Sequence, residues 1–148
     1  VIAGLGEVAF WKIAMRPGRP MAFGRITDEG KSACLFGLPG NPVAVMVTFY
    51  FLARDALLHM MGASPAPLLQ LQAVSEATIR KKPGRTEYQR AVVATGADGR
   101  ASVRITGSQG SGVLRSMSEA NCMVVLHHNR GNVAPGESVD VVVFDGLT

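Results

Sequence analysis

Four stretches of this 148-residue chain have residue types and spacings that can do chemistry. The first is Phe36-Gly37-Leu38-Pro39-Gly40-Asn41-Pro42, which reads as a strand, a glycine-rich turn and the start of a helix. Such a junction points backbone N–H groups and the positive end of the helix dipole at one place, a way to bind phosphate or carboxylate without a charged side chain. A plain strand-to-helix connection would look the same, and neither the Walker loop nor the dinucleotide fingerprint is present. The second is Lys12-Ile13-Ala14-Met15-Arg16-Pro17-Gly18-Arg19-Pro20, where Lys12 to Arg25 holds four basic residues and no acidic one. Read as a strand, it puts Lys12, Ala14 and Arg16 on one face, so that two cations address one anion, with Trp11 and Met15 on the other. A solvated basic edge that blocks aggregation is the alternative. The third, Arg80 to Arg90, has five basic residues and one carboxylate around Pro83-Gly84, either an anion-binding patch or a solvated hairpin. The fourth, Gly107-Ser108-Gln109-Gly110-Ser111-Gly112, is rich in hydroxyls and backbone donors suited to an oxyanion, or is simply a flexible loop.

The chemistry that these residues exclude is as informative. No carboxylates stand close together near these loops, and no Cys/His set has metal-ligand spacing. His127-His128 is an adjacent pair on an expected strand, so the two rings face opposite ways. His59 falls on an apolar helix pattern and is expected in the core or at the helix end. No serine or cysteine is accompanied by a recognisable base.

The elements that must position these groups follow from periodicity. Two apolar runs, Val8 to Trp11 and Met21 to Phe23, flank the Pro17-Gly18 turn, and Ser32 to Phe36 is a short strand after the turn at Asp28-Glu29-Gly30-Lys31. From Val43 the apolar spacing predicts a largely buried helix to Met61, with Asn41 as N-cap, Pro42 in the first helical position and Gly62 past the end. The aperiodic Ala63-Ser64-Pro65-Ala66-Pro67 reads as a domain boundary. Beyond it, strands are expected at Leu69–Ile79, Glu87–Thr95, Ala101–Thr106, Asn121–His127 and Ser138–Phe144, with at most a short helix in Gly112–Glu119. Five strands in so short a span predict a small barrel or sandwich. The fold class is therefore α/β followed by all-β, divided as 1–62, a 63–68 linker and 69–148.

Composition sets the frame. Hydrophobic residues make up 47% and charged residues 18%, which excludes wholesale disorder. The net charge of +4 favours anionic ligands without requiring nucleic acid. The longest apolar segment, Val43 to Met61, is cut by Thr48, Arg54, Asp55 and His59, so no membrane span is expected. Cys34 and Cys122 each sit in an apolar run and read as buried free thiols in a reducing, cytoplasmic compartment. The chain starts at Val1 with no initiator Met and no secretory signal, which suggests a fragment or a processed product.

Taken together and in order, Leu5 to Gly24, Gly37 to Val43, Pro83-Gly84-Arg85 with Tyr88-Gln89-Arg90, Gln109-Gly110-Ser111, and Asn121-Cys122 with Asn129 to Asn132 resemble the molybdopterin molybdenumtransferase family, whose eukaryotic counterpart is the C-terminal domain of gephyrin. The resemblance implies the end of an α/β molybdopterin-binding domain followed by a complete small β-barrel. It implies molybdenum insertion from molybdate into adenylylated molybdopterin, yielding the molybdenum cofactor and AMP. By the same resemblance Lys12 matches a lysine implied in activity, and Arg16 stands where a second lysine is common; a guanidinium keeps the charge and changes its geometry. Arg19 and the loop Gly37, Pro39, Gly40, Asn41, Pro42 would contact substrate, as would Arg90 and Ser111. The resemblance further implies Mg²⁺, with its ligands upstream of this segment, and a homodimer whose cleft joins the third domain of one subunit to the fourth of the other. This chain alone would then be too short for turnover. A non-catalytic pterin-binding or scaffold module of gephyrin type is the alternative. A nucleic-acid binder built on Arg80 to Arg90 has thin support, since a lone Tyr is a poor stacking platform.

Overall fold

The computed structural model describes residues 6–10, 12–107, 109–110 and 115–144. The chain divides into two compact units, Val1–Pro65 and Ala66–Thr148.

The first unit is a three-stranded antiparallel sheet followed by a helix. Strands β1 (Gly6–Phe10), β3 (Ala22–Asp28) and β4 (Lys31–Gly37) lie in the order β1-β3-β4, and β2 is the two-residue Met15–Arg16. The register places Phe10 opposite Phe23 and Phe23 opposite Phe36, so the three rings form a row across the sheet, with centroids 5.8 and 5.1 Å apart. Such cross-strand aromatic pairs fix register, because a one-residue slip would send every ring to the opposite face.

Helix α1 (Pro42–Thr48) begins as its sequence predicts. Asn41 has extended backbone angles and its Oδ1 accepts from the N–H groups of Val43 and Ala44 at 3.1 and 3.3 Å, with Pro42 in the first turn. A π-helical turn, Phe49–Ala53, then leads into α2 (Arg54–Met60). Thr48, fully buried, donates its hydroxyl to the carbonyls of Ala44 and Val45, and that competition with the helical ladder falls immediately before the widened turn. The helix ends in a Schellman motif: Gly62 N–H bonds to His59 O and Ala63 N–H to Leu58 O, with Gly62 at φ 78°.

The helix is not largely buried as expected. Val43, Ala44, Val47, Thr48 and Ala53 are inside, whereas Met46, Phe49, Leu52, Met60 and Met61 are exposed. Apolar spacing alone did not separate these two faces. Over Pro42–Met60 the most apolar window has a mean hydropathy of 1.4, so the helix is long and apolar enough to cross a membrane by those two measures alone. A core helix passes the same test, and the Arg54–Asp55 ion pair at 2.8 Å sits within this one. His59 lies exposed in its last turn.

Cys34 also departs from expectation: it is exposed. An apolar run implies burial only where both faces of a sheet are covered, and β4, which pairs only with β3 in this sheet, leaves Lys31 to Cys34 exposed.

The second unit is a five-stranded closed barrel. Strands β5 (Gln70–Ser75), β6 (Thr86–Thr95), β7 (Ala101–Ile105), β8 (Cys122–Leu126) and β9 (Ser138–Val143) run in the order β6-β7-β5-β9-β8, and β6 pairs with β8 to close it. Only β5–β7 is parallel. Closure removes the exposed edges of a sheet. The interior is filled by Ala73, Ile79, Ala91, Val103, Cys122, Val124, Leu126, Val133, Val139 and Val141. Ile79 is not part of β5 but forms a lone bridge with Val133, and a single-turn helix α3 (Arg115–Ser118) precedes β8. β8 ends at Leu126, so His127 and His128 lie beyond the strand rather than on its two faces.

Candidate functional site

In the first unit the basic segment is a loop rather than the regular strand expected. Only Met15 and Arg16 are extended in a ladder, yet the alternation survives: Lys12, Ala14 and Arg16 are exposed while Met15 is buried. Trp11, expected on the same face as Met15, lies outside the described residues. The loop closes on the carbonyl of Arg19, which accepts from the N–H groups of Ile13 and Met21, both at 3.1 Å. Arg16–Pro17 is cis and Gly18 has φ 106°. Gly18 is buried where a Cβ would run into the Thr48 methyl and come within 3.5 Å of the Met15 side chain. Both the backbone angle and the space therefore demand glycine, and that close approach seats the loop on α1. Lys12, Arg16 and Arg19 stand exposed around it.

The glycine-rich turn lies at the same end of the sheet, because Gly37 at the end of β4 pairs with Ala22 at the start of β3, one residue after Met21. Pro39 is buried, Asn41 partly buried, and Gly40 and Pro42 exposed; the position of a Gly40 Cβ is open space. The helix-end donors foreseen for a ligand are already engaged: Asn41 takes Val43 and Ala44, Val45 N–H bonds to Asn41 O, and Pro42 has none. An anion at this turn would meet the loop ahead of the helix and the neighbouring cations rather than the first helical turn.

In the barrel the Arg80 to Arg90 stretch is only partly the solvated hairpin considered above. Arg80 and Lys82 are exposed, but Lys81 is 5% exposed and its ammonium donates to the carbonyls of Lys82, His128 and Arg130 at 3.3, 3.3 and 2.8 Å. Its own N–H goes to Asn132 Oδ1 at 2.9 Å, so one residue ties the 80–85 and 127–132 loops together. Burial lowers the Lys81 pKa, opposed by the nearby Glu87 carboxylate. Glu87, itself buried, is held by Arg85 Nε at 2.8 Å and Gln89. Alternation carried on from buried Ile79 through exposed Arg80 would have marked Lys81 as inward, although its basic neighbours drew it to the surface in the sequence reading.

Arg90 is 2% exposed in β6, where it pairs with Met123. Its Nη2 donates to Gly110 O at 3.2 Å. Burial lowers its pKa, yet a guanidinium stays cationic at any ordinary pH. Gln109 bonds the Arg90 backbone on both sides, a role that nothing in the loop's composition announced. Ser111 lies outside the described residues. Among the described residues no three of His, Cys, Asp and Glu cluster as metal ligands.

Comparison with known proteins follows the same division. A model described as a probable molybdopterin binding domain matches residues 1–59, and the MoeA C-terminal region, domain IV, matches residues 72–144. Molybdopterin molybdenumtransferase of Haemophilus influenzae is 36% identical over 148 residues, 99% of this chain and 36% of that protein. Gephyrin of Dictyostelium discoideum is 28% identical over 161 residues, 95% of this chain and 22% of that protein. Among solved structures, the molybdopterin biosynthesis moeA protein of Pyrococcus horikoshii OT3 superposes with a TM-score of 0.71 at 26% identity, covering 95% of this chain and 34% of that one. The chain thus spans about a third of the length of the Haemophilus relative. It belongs to the molybdopterin molybdenumtransferase family.

Proposed function

We propose that this chain serves molybdenum cofactor biosynthesis as part of a molybdopterin molybdenumtransferase, in the reaction of molybdate with adenylylated molybdopterin to give the molybdenum cofactor and AMP. The observation that carries this reading is the loop bearing Lys12, Arg16 and Arg19, exposed and free of carboxylates, at the same sheet end as the Gly37–Pro42 turn and inside the segment matched by the molybdopterin-binding model. Both substrates are multiply charged anions. Exposed ammonium and guanidinium groups attract the pyrophosphate link and the oxyanion, and the guanidiniums orient them through paired N–H donors. In the barrel, Arg90, buried with its Nη2 on Gly110 O, is the further substrate contact that the resemblance implies. Catalysis at the pyrophosphate wants a divalent cation to take up developing charge. No cluster among the described residues fits one, so Mg²⁺ and its ligands are not assigned to these residues. A homodimer and a cytoplasmic location are part of the same proposal.

The likeness to gephyrin favours a second reading, a non-catalytic pterin-binding module. Calorimetric titration of the chain with adenylylated molybdopterin, repeated with Lys12→Ala and Arg90→Ala, tests the site. Weakened binding in both variants supports it. Native affinity in both would sink it. AMP release on adding molybdate, with and without the upstream region of a longer relative, separates transferase from binding module.

A further inference from the structure

Strands β6 and β7 pair from Thr95↔Ala101 to Ala91↔Ile105, and the next opposed residues are Arg90 and Thr106. Half of that pair is made: Thr106 N–H bonds to Arg90 O at 2.9 Å. In the other half the Gln109 side chain stands between the two backbones. Its Oε1 accepts from Arg90 N–H at 2.9 Å, and its Nε2 donates to Thr106 O at 2.6 Å and to Arg90 O at 3.1 Å. The Gln109 amide has the donor and acceptor of a peptide group, so it fills the split ladder with no buried backbone group left over. The next residue closes the ring from the other side, Gly110 O accepting from Arg90 Nη2. Thus the Gln109 side chain holds the Arg90 backbone, and the Arg90 side chain holds the backbone beside Gln109.

We infer that Gln109 is a positioning residue: its amide wedge between β6 and β7 sets the direction in which the Arg90 guanidinium is presented. This rests on the reading above in that Arg90 is there a substrate contact. Thr106 reinforces the wedge, its hydroxyl donating to Arg90 O and Ser116 O.

The test uses Gln109→Met, which keeps length and bulk but has no amide, with adenylylated molybdopterin as the titrant. Arg90 N–H should exchange faster with solvent, and affinity should fall by about tenfold, the factor that 1.4 kcal/mol represents. The double variant Gln109→Met/Arg90→Ala should bind no worse than Arg90→Ala alone, since a residue acting through Arg90 has nothing to add once Arg90 is gone. A residue that merely stabilises the barrel would show no such dependence. Should Gln109→Met not fold, Gln109→Asn, with the amide kept on a shorter arm, poses the same question. Native affinity in the Gln109 variant beside a weakened Arg90→Ala overturns the inference and leaves the function standing, as does full additivity in the double variant. Native affinity in Arg90→Ala overturns the inference, and native affinity in Lys12→Ala as well overturns the function with it.

Discussion

The two units solve the burial of apolar surface in opposite ways. The barrel closes on itself, with ten apolar side chains in one interior cluster. Among the described residues the sheet-and-helix unit instead turns Phe10, Met46, Phe49, Leu52, Met60 and Met61 outward, against Leu69 and Val74 in the barrel unit. Both units come from similar apolar runs, so the difference lies in closure rather than in composition. A closed sheet leaves no second face to cover, whereas an open sheet with one helix does.

The sharpest way to break this comparison is to remove equal bulk from each unit. Leu126→Ala, at a fully buried barrel position, is expected to cost about 2 to 5 kcal/mol, and Leu52→Ala, 40% exposed on the helix, to stay within about 0.5 kcal/mol in chemical denaturation. Similar losses at both would mean that the helix face is covered after all. Next in size is Gly18→Ala, which meets a left-handed backbone penalty of about 1 to 2 kcal/mol before the clash with Thr48 is counted. Its effect should appear in the first unit, seen as faster amide exchange in α1, with β8 unchanged. Asn41→Ala removes the helix cap and should cost about 1 kcal/mol, read in the same helix.

The last prediction is invisible at neutral pH. Burial pushes the Cys122 thiol up to about 12 from 9.0, so the unfolded chain releases that proton first as pH rises. Stability from this group is therefore intact below pH 9 and falls between there and about 12. Tyr88, also raised by burial, acts in the same direction, and Lys81, lowered by burial, in the opposite one. Denaturation between pH 8 and 11 should show a shallower alkaline decline in Cys122→Ala than in the native chain; equal slopes would remove the thiol from the account.

Much of this was legible in the sequence because local rules carried it. Asn41, Pro42 and Gly62 announce the helix ends by chemistry confined to a few residues, and turn residues between short apolar segments placed four of the barrel strands to within a residue of their ends, whereas the first stops at Ser75 instead of Ile79. What was missed depends on partners distant in sequence. Cys34 was expected inside because its neighbours are apolar, but its exposure is decided by what covers β4. Lys81 and Gln109 owe their places to carbonyls and amides up to 51 residues away. The cations of the candidate site were legible through charge and family likeness, whereas the wedge that aims Arg90 was not.

The carbonyl cradle around Lys81 makes this lysine a reporter of the barrel's own integrity. The chain has four lysines, and Lys12, Lys31 and Lys82 are exposed. An amine-reactive reagent applied to the native chain should therefore mark three lysine side chains readily and the fourth only as the two loops part, so that each labelled Lys81 records one opening of that end of the barrel.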